Sequence, residues 1–73
     1  MLKEKVNKFL ELGISLKSIA TYSKVHYTTL SKWLNGTREL NEKNLKQIEN
    51  ALESILKELL EIMEWLYVIE RFN

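Results

Sequence analysis

Apolar side chains recur every three or four residues along most of this chain, and that spacing predicts helices from one end to the other. Leu2, Val6, Phe9 and Leu10 mark a first helix that ends at Gly13. Ser15 is placed as an N-cap and opens a short second helix through about Tyr22. Its apolar face is Leu16, Ile19 and Ala20. Ser23 to His26 read as a turn. A third helix runs from about Tyr27 to Leu34, with Leu30, Trp33 and Leu34 inward. Asn35-Gly36 stops it, because glycine adopts the left-handed conformation after a helix without steric cost.

Asn41 is the next N-cap candidate, and no breaker follows before Phe72. Leu45, Ile48, Leu52, Ile55, Leu59, Ile62, Leu66 and Ile69 alternate in steps of three and four, a heptad seam. Leu56, Leu60, Met63 and Tyr67 form a second stripe beside it. Trp65, Val68 and Phe72 widen the apolar surface. One helix over this stretch would measure about 48 Å at 1.5 Å per residue. A break near Glu53-Ser54 would make it two. The expectation is an all-α domain of four to five helices with a long C-terminal helix.

Composition narrows the chemistry. Seventy-three residues make a single domain, 1–73, with a thin core. There is no cysteine and only one histidine, His26, so disulfides and a metal site are not expected. No nucleophile–base pair or phosphate-cradling glycine loop stands out, so neither an enzyme nor a cofactor or small-molecule ligand is expected. Residues 1–38 carry seven basic side chains against two glutamates, a net +5. Residues 39–73 carry four against eight, a net −4. A basic half suits a polyanion such as nucleic acid. The amphipathic start lacks a secretory pattern, and glutamates interrupt the apolar C-terminal stretch. A cytoplasmic protein with no membrane association is expected.

The unit from Ser15 to Gly36 carries the functional signal. A small residue, Ala20, lets the third helix cross close to the second. Ile19 and Val25 pack beneath the crossing, and Leu30 with Trp33 anchors the third helix. This segment, SLKSIATYSKVHYTTLSKWLNG, resembles the helix-turn-helix of the lambda-repressor and Cro-type (XRE-like) regulators. The resemblance rests on Ser15, on Ile19-Ala20 with Val25, and on Thr29-Leu30-Ser31-Lys32-Trp33 before Asn35-Gly36. It covers roughly residues 2–52. Three positions depart from the family pattern. Lys24 stands at the turn glycine, Leu16 at the glutamine that opens the second helix, and His26 at the serine that opens the third.

The resemblance implies a lambda-repressor-like fold and binding to double-stranded DNA. It places base-edge contacts on Tyr27, Thr28, Ser31 and Lys32. It places backbone contacts on Lys17, His26, Thr37 and Arg38. Residues 1–52 then form the DNA-binding core and 53–73 a dimerisation helix. Ile55, Leu59, Ile62, Leu66 and Ile69, with Trp65, are its expected interface in a homodimer that reads an inverted repeat. The function implied is a sequence-specific transcriptional regulator, a repressor of the phage or mobile-element kind. The alternative is a protein-interaction module that reuses the same fold, such as a phage-encoded inhibitor of a host defence protein.

Overall fold

A computed structural model describes the backbone of residues 1–72 and the side chains of residues 1–68. Among the described residues there are four helices and no strand. They are α1 (Leu2–Glu11), α2 (Leu16–Ser23), α3 (Tyr27–Leu34) and α4 (Glu42–Phe72). The helix-turn-helix boundaries agree with the periodicity, and the stretch after Asn41 is one helix. No break occurs at Glu53-Ser54, because Leu52 and Ile55 on either side both belong to the core and hold the helix straight through.

Local chemistry sets the helix ends. The Ser15 hydroxyl accepts from the Ser18 amide at 3.1 Å, and the Asn41 side chain accepts from the Asn44 amide at 2.8 Å. These caps satisfy amides that the first helical turn leaves without partners. Both α1 and α3 close with paired reverse bonds. Gly13 and Ile14 donate to Leu10 and Phe9 at 3.0 Å each, and Gly36 and Thr37 donate to Trp33 and Lys32 at 3.1 and 2.9 Å. That geometry requires a left-handed residue after the cap. Gly13 has φ +95° and Gly36 has φ +80°.

Each helix contributes one fully buried side chain to the core: Val6, Ile19, Leu30 and Ile48. Val25, Trp33, Leu52 and Ile55 complete the cluster. The Lys3 ammonium sits 5.5 Å from the centre of the Trp33 ring, tying α1 across the end of α3. Truncating Ile19, Leu30 or Ile48 to alanine costs about 2–5 kcal/mol in a core of this kind. Ile55 corrects an expectation. It was placed at an interface between copies, yet it is only 6% exposed, because it continues the Ile48–Leu52 stripe into the protomer's own core.

Beyond Ile55 the helix leaves the body. Leu56, Leu59, Leu60, Ile62, Met63, Trp65, Leu66, Tyr67 and Val68 are all exposed, at 44–69%. The Ile69 side chain, also expected at an interface, lies outside the described residues. The radius of gyration is 14.6 Å, where a compact chain of this length has about 11 Å. The longest extent, 51 Å, is close to the roughly 47 Å length of α4 itself.

Candidate nucleic-acid interface

Three features of the sequence build the turn between α2 and α3. Lys24 takes φ 60° and ψ 21°, the left-handed conformation at the glycine position of the family pattern. Its amide donates to the Ala20 carbonyl at 2.9 Å. Ser23 is buried, and its hydroxyl is used in both directions. It donates to the Ala20 carbonyl at 3.3 Å and accepts from the Val25 amide at 3.2 Å. Val25 then drops into the core. The next residue, His26, caps α3 through Nδ1, which accepts from the Thr28 amide at 3.2 Å. With its Nδ1 lone pair engaged, a neutral imidazole carries its proton on Nε2, as a donor.

With Leu30 and Trp33 inward, the 100° step of a helix sends Thr28, Ser31 and Lys32 to the opposite side of α3. Thr28 and Lys32 are exposed and Ser31 is half-buried between them. Asn35 shares that face one turn beyond Ser31, and sequence reasoning had used it only as part of a stop signal. Tyr27 stands at the edge of the face, 45% exposed. It joins a shallow open depression of about 480 Å³ lined by Lys17, Thr21, Lys24, Val25 and His26 as well. That depression brings Lys17 and His26 together. It also adds Lys24 and Thr21, which sequence reasoning missed. Lys24 had been read only as a backbone departure, and its exposed ammonium stem beside His26 was the overlooked signal.

Thr37 and Arg38 lie apart from that depression, past the C-terminal end of α3. The Thr37 hydroxyl donates to the Lys32 carbonyl at 3.1 Å, so its proton already serves the helix cap. Arg38 is exposed.

The charges of the segment that forms this surface are of one sign. From Leu12 to Arg38 the chain holds no acid and four cations, Lys17, Lys24, Lys32 and Arg38. Among the described residues the only ion pairs are the N-terminus with Glu4 and Lys8 with Glu11, so none of these four cations is neutralised. The N-termini of α2 and α3 add backbone amides and the positive ends of two helix dipoles. Such a surface attracts phosphates from solution and holds them by hydrogen bonds. No group of three or more metal-ligating side chains occurs among the described residues. No described helix is long and apolar enough to cross a membrane.

On the far side of α2, Tyr22 donates its phenol proton to the Glu58 carboxylate, joining the helix-turn-helix to the outgoing part of α4. That hydrogen bond raises the Tyr22 pKa above its ordinary value, with slight desolvation and the carboxylate charge adding to it.

A family model described as helix-turn-helix covers residues 2–59. No curated protein and no solved structure matches the chain.

Proposed function

The chain belongs to the lambda-repressor/Cro-type (XRE-like) helix-turn-helix family of DNA-binding regulators, and on that premise we propose that it is a sequence-specific repressor that reads an inverted repeat. The observation that carries this reading is the acid-free stretch from Leu12 to Arg38 that forms α2 and α3, with its outward Thr28, Ser31 and Lys32. Lys32 donates to guanine O6 and N7, and Thr28 meets a thymine methyl or a phosphate. Tyr27 and Ser31 complete the base-facing set. Lys17, Lys24, His26 and Arg38 hold phosphates on either side, and His26 does so through its Nε2 proton. Thr37 acts through the end of α3 more than through its own hydroxyl.

One such unit contacts few bases. Two units joined through the exposed part of α4 raise each other's effective concentration on DNA. Leu59, Ile62 and Leu66 belong to that joint, Ile69 continues their spacing in the sequence, and Trp65, also expected there, stands about 90° around the helix from the centre of that seam. The two α3 helices then sit about 34 Å apart, one turn of the duplex. Binding across a promoter blocks polymerase. Repression, pairing and a phage or mobile-element role are parts of this proposal.

Selection of bound DNA from a random pool, followed by binding at several salt concentrations, tests it. An inverted repeat is expected, with affinity falling steeply as salt rises. Lys32→Ala should cost roughly 1–3 kcal/mol and relax preference at one base position. Arg38→Ala should weaken all sequences alike and reduce the salt slope by about 1. Wild type and both variants binding every sequence equally would favour a protein target for this fold instead.

A further inference from the structure

The exposed part of α4 has more apolar surface than one partner helix covers, and its arrangement has a count built into it. Written as heptads, the part of the first seam that leaves the body has leucine at a, Leu59 and Leu66. It has isoleucine at d, Ile62, while Ile48 and Ile55 earlier in the seam belong to the protomer's own core. Two-stranded coils favour the reverse, a β-branched residue at a with leucine at d. Leucine at a with isoleucine at d shifts the preference to three or four strands.

A second seam lies beside the first. Leu56, Leu60, Met63 and Tyr67 fall at e and b positions and are 49%, 60%, 53% and 63% exposed. At 100° per residue, the centres of the two seams lie about 100° apart around the helix axis. A helix in a pair faces one neighbour and leaves such a second seam in water. A helix in a square array of four faces two neighbours 90° apart, and in a triangle they are 60° apart. Lys57, Glu58, Glu61 and Glu64 occupy the arc opposite the midpoint of the two seams, where a bundle meets solvent. Among the described residues of this stretch, Trp65 and Val68 alone are apolar side chains on that outer arc.

We propose that four copies of this chain associate through residues 56–72 as a four-helix bundle, with the seam of Leu59, Ile62 and Leu66 packing on one neighbour and the seam of Leu56, Leu60, Met63 and Tyr67 on the other. This rests on the reading that the exposed part of α4 joins copies, and it goes beyond that reading in the number. Four helix-turn-helix units make two pairs, so a single particle holds two inverted repeats at once.

Sedimentation equilibrium or native mass spectrometry of the full chain tests the count without DNA. Four chains of 8.7 kDa give about 35 kDa, and that mass is expected. Leu60→Glu with Met63→Glu should halve the mass and leave binding to one inverted repeat in place. Leu59→Glu with Leu66→Glu should likewise leave pairs, held by the second seam. All four side chains are exposed in the protomer, so circular dichroism of these variants should show the body still folded. A wild-type mass of one, two or three chains overturns the bundle, as does an unchanged mass in the second-seam variant. A wild-type dimer that still selects an inverted repeat would overturn the count alone. A particle of four that ignores DNA would overturn only the regulator reading.

Discussion

Lys24 holds a backbone conformation that side chains with a Cβ adopt at a cost of about 1–2 kcal/mol. Glycine would remove that cost, less the greater freedom it returns to the unfolded chain. Lys24→Gly should therefore stabilise the fold by roughly 0.5–1 kcal/mol and raise the melting temperature by several degrees. The same change deletes an ammonium group from the depression that holds Lys17 and His26. DNA affinity should fall and the salt slope should shrink by about 1. Thermal melts and binding isotherms on one variant separate the two effects. A variant that is both more stable and equally tight would remove Lys24 from the phosphate contacts and leave its strain without a purpose. Tyr22 makes a second prediction at this scale. Its phenol is held protonated by Glu58, so the link is fully present below the unfolded value of about 10 and is lost as pH rises through the raised folded value. Ultraviolet titration should find a phenol ionising late in the wild type that is missing from Tyr22→Phe. In Glu58→Gln the late step should move back toward the ordinary range. A late step that persists in Tyr22→Phe would assign the shift to another tyrosine.

At the scale of the elements, polar residues with a local job were the readable ones. Ser15 and Asn41 announce the starts of α2 and α4, and each makes the cap its residue type suggests. Gly13 and Gly36 announce the ends of α1 and α3. The face of α3 was readable too, since burying Leu30 and Trp33 leaves only one side for Thr28, Ser31 and Lys32. What could not be read depends on contacts between elements. Nothing in Glu53-Ser54 forbids or favours a bend, and only the packing of Leu52 and Ile55 into one cluster decides for a continuous helix. Ile55 was misassigned for the same reason. A heptad seam has one periodicity whether it faces its own chain or another, and the body's dimensions determine where the change occurs. Lys24 beside His26 and the grip of Tyr22 on Glu58 are likewise products of contacts between elements. The Tyr22–Glu58 bond fixes the heading of α4 as it leaves the body. It couples the helix-turn-helix to the element proposed to join copies.

For the whole molecule, the question is whether the body and the outgoing helix are separable. Val6, Ile19, Leu30 and Ile48 close a core that needs nothing beyond Ile55, and the family match ends at residue 59. Leu60 and the described side chains after it contribute surface and no buried contact to that core. Each leucine-sized side chain left in water forgoes about 1.5–3 kcal/mol of burial. A lone protomer therefore carries a large unfavourable surface that association relieves and deletion removes. A chain ending at Leu59 keeps Glu58, and with it the tie to Tyr22. It should fold cooperatively, melt within a few degrees of an association-free full-length variant, and sediment as a single chain. It should also bind an inverted repeat about 10²–10⁴-fold more weakly than the full chain, because the second half-site is no longer tethered. Full affinity in the shortened chain would mean that the units meet on DNA through the body, and the outgoing helix would need another purpose. Failure to fold would mean that the thin core draws its stability from association. Stability of the full chain would then rise with protein concentration, which melts at several concentrations would detect.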